Sequence, residues 1–131
     1  MEEKRVLTKA DFFSLRLKQE EFDCTRYGLP GVIVIRELSV DERDQLELSV
    51  IVNGEVSLEN LRAKTLALSC VDENGNKVFA FEDAKRLGQM SGRMMVDMYR
   101  VAKRLSALGE DEVKALVKKS GPGEGDGSSS D

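Results

Sequence analysis

The 131-residue sequence has no histidine and no tryptophan, and it contains only two cysteines. Without histidine, the chain lacks the usual general base of Ser–His and Cys–His nucleophilic sites and the commonest metal ligand. Cys24 and Cys70 match neither a zinc-ligand spacing nor the disulfide framework of a small secreted domain. We therefore expect two buried, reduced thiols and no catalysis that depends on histidine.

Motifs that carry phosphate, dinucleotide or redox chemistry are also missing, because the sequence contains no GxGxxG, no P-loop and no CxxC. Paired carboxylates occur, but each pair lies where a helix start, a turn or a solvated face accounts for it. We therefore predict that the protein is not an enzyme. We assign no catalytic, cofactor-binding or metal-binding residue, and no cofactor.

Long apolar runs and an excess of positive charge are absent as well. No run approaches the roughly 20 apolar residues that span a bilayer, and the acidic start Met1-Glu2-Glu3 is not followed by the apolar region of a signal peptide. The 24 acidic and 20 basic residues give a net charge of −4, whereas proteins that bind phosphate backbones are usually basic. These features predict a cytosolic protein that binds neither membrane nor nucleic acid.

The residues that are present suit one globular domain. Hydrophobic residues make up 40% of the chain and charged residues 34%, and the length fits a single domain over residues 1–119. Residues 120–131, SGPGEGDGSSSD, contain no apolar residue. They are predicted to form a disordered tail.

A β-hairpin is predicted near the N-terminus, at about residues 20–37. Phe22 and Cys24 alternate with polar residues, and Gly28-Leu29-Pro30-Gly31 supplies a turn. The β-branched run Val32–Ile35 favours a strand that is buried on both faces. One hairpin is marginally stable alone, so helices are expected to cover it.

The segment before the hairpin allows two interpretations. Thr8 could cap a short helix that begins near Lys9. The alternation of Phe13, Leu15 and Leu17 would instead suit an edge strand. Both interpretations stay open at the level of the sequence.

Capping patterns predict two helices after the hairpin. Ser39 and Glu42 fit a capping box, and Asn53-Gly54 would stop the helix that starts there. Ser57 is the next N-cap candidate. The predicted helices run from about Val40 to Val52 and from Ser57 to Ser69 or Cys70.

Two interpretations compete for residues 66–71, which periodicity alone does not assign to helix or strand. In one, the second helix continues through them. In the other, Leu66–Val71 pairs with Lys77–Phe81 as a second hairpin through Asn74-Gly75, where a primed turn would need positive φ values. We favour the helix.

A long amphipathic helix is predicted next, since apolar residues recur there at steps of three and four. Gly88 and Gly92 would mark a bend or a close helix crossing, and Gly109 would end the helix before a short helix that opens at Glu110. The apolar stripe consists of Leu87, Met90, Met94, Met98, Val101, Leu105 and Leu108. The whole pattern predicts a predominantly helical α+β fold, with an N-terminal β-hairpin packed against four to five helices.

The polar turn in mid-chain has part of the pattern of a calcium-binding loop. Asp72, Asn74, Asn76 and Asp83 have the oxygen spacing of loop positions one, three, five and twelve. The pattern requires glycine at position six, where Lys77 stands. We therefore interpret the segment as a turn and not as a metal site.

The long helix also carries the residues that we assign to partner binding. Its stripe methionines are expected in the core, whereas Met95 and Tyr99 lie one step round the helix and are expected in an exposed contact patch. Arg93 and Arg100 complete the assignment, because the remaining face is basic and suits an acidic partner. The basic residues of the segment are Lys85, Arg86, Arg93, Arg100, Lys103 and Arg104.

A run of segments spread over about residues 20–119 resembles the tail assembly chaperones of long, flexible-tailed phages and prophages. The segments carry no invariant chemical motif, so the resemblance lies in their composition and order. They are Gly31–Leu38, Asp41–Asp44, Arg62–Leu68, Val71–Phe79, Glu82–Gly88 and Leu105–Val113.

The resemblance implies a small helical protein without enzymatic activity. Such chaperones bind the aggregation-prone tape-measure protein in the cytoplasm of the bacterial host and keep it soluble while tail-tube subunits assemble around it. They are absent from the mature virion. In many relatives a frameshifted, longer form engages the tail-tube protein, and the expected partners also include further copies of the chain in a homo-oligomer.

An alternative of a different class is a small helical regulatory or nucleic-acid-binding adaptor. It would use the basic residues between Arg93 and Arg104. A gel shift at low salt separates the two hypotheses, since only the adaptor should retard nucleic acid.

Overall fold

Helices and a small antiparallel sheet alternate along the chain in the computed structural model, which describes residues 4–108. The predicted helix end at Gly109, the short helix from Glu110 and the tail at residues 120–131 lie outside the described residues. In chain order the elements are α1 (Lys9–Phe13), β1 (Gln19–Asp23), β2 (Val32–Arg36), α2 (Val40–Ser49), β3 (Ile51–Val52), β4 (Glu55–Val56), α3 (Leu61–Ser69), β5 (Cys70–Val71), α4 (Ala84–Leu87) and α5 (Gly92–Leu105). The predicted α+β class, with an N-terminal hairpin packed on helices, is confirmed.

Within residues 4–108, no helix combines the length and apolar character needed to cross a bilayer.

The N-terminal hairpin forms as predicted. Strands β1 and β2 pair antiparallel, with Gln19 opposite Arg36 and Asp23 opposite Val32. Strand β5 adds to the other side of β2, so the order in the sheet is β1-β2-β5. The prediction that β2 is buried on both faces is wrong: Ile35 is fully buried, but Val32 is 54% exposed. Side chains alternate along a strand, and only the face with Ile35 packs against α3 and α5.

The segment before the hairpin is a short helix and not a strand. Thr8 accepts a hydrogen bond from the Asp11 N–H, and the Asp11 carboxylate accepts one from the Thr8 N–H, which completes a capping box. Helix α1 ends at Phe13 and buries none of its residues. The aromatic side chains of this segment therefore stay in solvent.

Helix α2 starts as predicted and ends earlier than predicted. Ser39 and Glu42 form the capping box, but the helix stops at Ser49 and not at Val52. The reason is the turn at Asn53 and Gly54, whose φ angles of 53° and 80° are both positive. Two such residues form the primed turn of a tight hairpin, which draws the preceding residues into β3 and pairs them with β4.

Helix α3 begins later than predicted and settles the ambiguity over residues 66–71. The predicted cap at Ser57 is wrong, because Asn60 precedes the first helical residue. The chain is helical up to Ser69 and extended at Cys70–Val71. Of the pairing that the alternative hairpin requires, the structure contains a single β-bridge, between Val71 and Lys77.

The predicted long helix is two helices, α4 and α5. Ser91 caps α5 by accepting a hydrogen bond from the Met94 N–H at 3.3 Å, so residues 88–91 separate the two. Gly88 marks a close approach, since a Cβ there would lie 2.8 Å from the Asn60 Oδ1 atom at the start of α3. Gly92 has nothing within 4 Å of such a Cβ. The sequence-based suggestion of a close crossing therefore holds at Gly88 only.

A buried carboxylate joins the sheet to the helices. Glu42 is 9% exposed and accepts hydrogen bonds from the Ser39 N–H, from Arg36 at 2.8 Å and from Lys77. Lys77 also donates to the carbonyl of Leu68 near the end of α3. Burial by itself would raise the pKa of Glu42, but the bonds from Lys77 and Ser39 and the charges of Lys77 and Arg36 hold the pKa below its usual 4.5.

Replacing this carboxylate should destabilise the fold. We expect Glu42→Gln to lower the free energy of unfolding by about 2 kcal/mol, because two cations lose their counter-charge and the cluster is partly open to water at Lys77. Urea unfolding at neutral pH, followed by circular dichroism, measures the difference.

The pH dependence of the free energy of unfolding is the control for this prediction. A carboxylate whose pKa is lowered by folding stabilises the protein above the unfolded-state pKa of about 4.5, and the benefit disappears as pH falls through the lower folded-state value. The stability of the wild type should therefore converge towards that of Glu42→Gln in acid. If the free energies of unfolding of the two proteins differ by the same amount at every pH down to the acid transition, this role of Glu42 is contradicted.

Candidate partner-binding cleft

Two adjoining grooves open beside the joint between α4 and α5. One, of about 470 Å³, lies between the start of α3 and α5. The other, of about 350 Å³, lies between the hairpin turn and α5. Leu87, Met90 and Met95 line both grooves, and we call the pair the joint cleft. It is mainly apolar and offers a partner a continuous surface on both sides of the α4–α5 joint.

The methionines of the joint cleft depart from the predicted pattern in two places. Met94 and Met98 are buried as predicted. Met90 was predicted in the core but is 47% exposed, and Met95 was predicted in an exposed patch but is only 6% exposed. Because α5 begins at Gly92, Met90 lies in the connection before the helix and not on its apolar face. Met95 belongs to the same core cluster as Ala63 and Leu66 of α3, which packs against α5.

Tyr99 lies at the rim of the groove between α3 and α5. It is half-buried, and two cations flank its ring: the guanidinium carbon of Arg62 is 5.9 Å and the ammonium nitrogen of Lys103 is 6.0 Å from the ring centroid. These distances allow cation–π attraction. Burial raises the pKa of the Tyr99 hydroxyl, and the charge of Arg62 opposes that shift.

The four residues predicted to bind a partner do not form one surface. Met95 and Tyr99 both line the groove between α3 and α5. Arg93 is two residues from Met95, about 200° of helical rotation, and Arg100 is five residues from it, about 140°, so both arginines point away from Met95. Neither arginine lines the groove between α3 and α5. Arg100 forms an ion pair with Asp97 at 3.1 Å. The structure therefore keeps Met95 and Tyr99 together and separates them from the two arginines.

Two arginines form a cationic rim at the joint cleft, and neither of them was assigned to partner binding from the sequence. Arg62 and Arg86 are exposed and line the two grooves. Asp83 also lines the second groove, but its carboxylate accepts a hydrogen bond from the Ala80 N–H at 2.9 Å. No local pattern distinguishes Arg62 from other surface arginines, because its position over Tyr99 arises from the packing of α3 on α5.

Reactive groups near the cleft are held in unreactive forms. Cys24 lines the second groove and Cys70 lies in the core behind it, and both thiols are free and buried. Burial raises the pKa of Cys24, and it raises the pKa of Cys70 to about 12. Since the thiolate is the nucleophile, neither cysteine is activated for chemistry.

The segment with the partial calcium pattern uses its first carboxylate to hold a turn. The Oδ1 atom of Asp72 accepts hydrogen bonds from the N–H groups of Asn74 and Asn76, at 2.8 and 2.9 Å. This is the geometry of an Asx turn. In the part of the chain that the structure describes, no cluster of three or more metal-ligating side chains occurs.

Comparison with models of protein families, with curated proteins and with solved structures found no match to this chain.

The two thiols give a direct test of core packing at the cleft. We expect the folded protein to react with a chromogenic disulfide reagent at least about tenfold more slowly than the urea-unfolded chain, because burial and raised pKa values both suppress attack by thiolate. The absorbance of the released thiol measures both rates. Cys24→Ser isolates the signal of Cys70, and equal rates in the folded and unfolded states would contradict the described burial.

Proposed function

We propose that this protein is a tail assembly chaperone of a long-tailed phage or prophage. In this function it binds the tape-measure protein in the host cytoplasm and keeps it soluble while the tail tube assembles. The proposal rests on the ordered segments that resemble this family and on one structural observation, the joint cleft with the exposed Met90 at its centre.

The chemistry of the joint cleft suits a client that presents apolar side chains in varying register. Methionine is unbranched and polarizable, so a methionine-lined surface can adapt to different side chains without a fixed lock-and-key fit. Such a surface can make repeated, individually weak contacts along an extended client. A chaperone needs this adaptability and requires no catalytic group.

We place the nucleic-acid-binding alternative second, because cations of α5 already have partners within the chain. Arg104 contacts both carboxylate oxygens of Glu20, at 2.9 and 3.1 Å. Arg100 pairs with Asp97, and Lys103 lies over the ring of Tyr99. A phosphate backbone would have to compete with each of these contacts.

Co-expression tests the chaperone function. The protein is produced together with a tape-measure protein from the tail-gene cluster to which the proposed function assigns its gene, and the soluble fraction of the tape-measure protein is measured. We expect a clear increase over expression of the tape-measure protein alone, and co-purification of the two chains. No increase and no co-purification would overturn the proposal.

A matched pair of variants tests the site. Met90→Asp places a charge in the joint cleft and should reduce the soluble fraction of the client, because a carboxylate opposes burial of apolar side chains. Val78→Asp is the control, since Val78 is 45% exposed, close to the 47% of Met90, and lines neither groove of the cleft. If the two variants keep the same fraction of the client soluble, the joint cleft is not the binding site, but the proposed chaperone function is not contradicted.

A further inference from the structure

The N-terminal segment exposes an unusual amount of apolar surface. We call residues 4–18 the arm. Its large apolar residues are Val6, Leu7, Phe12, Phe13, Leu15 and Leu17, and all six are exposed. Phe13 alone is 74% exposed. Exposed apolar surface of this extent in one short segment usually marks an interaction site.

The arm is anchored at its base and basic along its length. The Lys18 N–H donates to the Glu37 side chain at 2.9 Å, and the Glu37 N–H donates to the Lys18 carbonyl at 2.7 Å. Its only carboxylate, Asp11, is occupied by Thr8 and by an ion pair with Arg5. The basic residues of the arm are Lys4, Arg5, Lys9, Arg16 and Lys18.

A second surface of the same chain has the opposite charge. Val40, Asp44 and Leu48 recur every four residues along α2 and therefore share one exposed stripe. Val40 and Leu48 are 75% and 72% exposed. We call this stripe, together with the hairpin that follows it, the acidic face. Its remaining exposed apolar and acidic residues are Asp41, Ile51, Val52 and Glu55.

We propose that the arm of one copy docks on the acidic face of a second copy of this chain. The two surfaces are complementary, because each presents exposed apolar side chains and the arm is basic where the face is acidic. Residues 4–108 leave both surfaces exposed: α1 buries no residue, and Val40 and Leu48 remain in solvent. Docking between copies therefore buries the apolar side chains of both surfaces in one contact.

The joint cleft is the less suitable acceptor for the arm. Its exposed charged rim residues are Arg62 and Arg86, which carry the same sign as the arm. Docking on the acidic face also leaves the cleft free. The contact is heterologous, since the surface given differs from the surface received, and repeated use of it builds a ring or an open helical array.

Solution mass tests this interface on the purified full chain, without any client. Sedimentation velocity over a range of concentrations should show wild-type particles of at least twice the mass of one chain. Phe13→Asp removes the arm contact and Leu48→Asp removes the face contact, and each variant alone should be monomeric. Both positions are highly exposed and outside the core clusters, so both variants should fold, as circular dichroism would confirm.

Mixing the two variants gives the decisive result. Phe13→Asp retains an intact face and Leu48→Asp retains an intact arm, so the mixture should form a heterodimer and nothing larger. Val78→Asp, outside both surfaces, should assemble like the wild type. The proposal would be overturned if the wild type is monomeric, as expected if the arm folds back on its own chain. It would also be overturned if the mixture of the two variants stays monomeric.

This inference does not rest on the proposed function. Failure of self-association would leave the co-expression result untouched, and a failed co-expression would leave the mass measurements untouched.

Discussion

Helix α5 packs between α3 and the hairpin, and this packing forms the core and positions the cleft. Met94, Met98 and Ala102 face the core that this packing creates, together with Leu66 of α3 and Ile35 of β2. Further contacts fix the same arrangement from the outside. Asp97 accepts a hydrogen bond from the Tyr27 hydroxyl, and Arg104 pairs with Glu20. A helix held on two sides in this way provides a rigid wall for the cleft beside it.

The break between α4 and α5 opens the joint cleft beside this packing. Had the helix continued through residues 88–91, Met90 would have joined the apolar stripe. In the observed structure, Gly88 approaches Asn60 closely and Ser91 restarts the helix. Met90 is thereby left in solvent between two grooves, and Met95 forms part of their shared floor.

Sequence patterns predicted the elements whose signals are local. The capping box at Ser39 and the hairpin strands depend on residues close together in the chain, and the structure contains them. The helix capped by Thr8 was one of two open interpretations, and it is the one that the structure contains. The Asn-Gly pairs were only partly interpreted, since Asn53-Gly54 was predicted as a helix stop and not as a hairpin turn. Asn53-Gly54 forms the primed turn, whereas at the later Asn-Gly pair only Gly75 has a positive φ angle.

The candidate site was less predictable, because it depends on contacts between distant segments. Periodicity placed Met94 and Met98 in the core correctly, since one stripe of α5 faces its neighbours. It could not place Met95, whose burial depends on where α3 lies against the helix. It also could not pair Arg62 with Tyr99, which are far apart in the sequence and meet only through that packing.

Methionine methyl groups give the most direct test of the proposed binding of a client in the joint cleft, since Met90 and Met95 line both of its grooves. The chain has five methionines, and each gives one methyl signal in an NMR spectrum of protein labelled with ¹³C-methyl methionine. On addition of soluble tape-measure segments, the signals of Met90 and Met95 should shift or broaden most. Binding that leaves both signals unchanged while other parts of the protein respond would contradict binding of the client in the joint cleft.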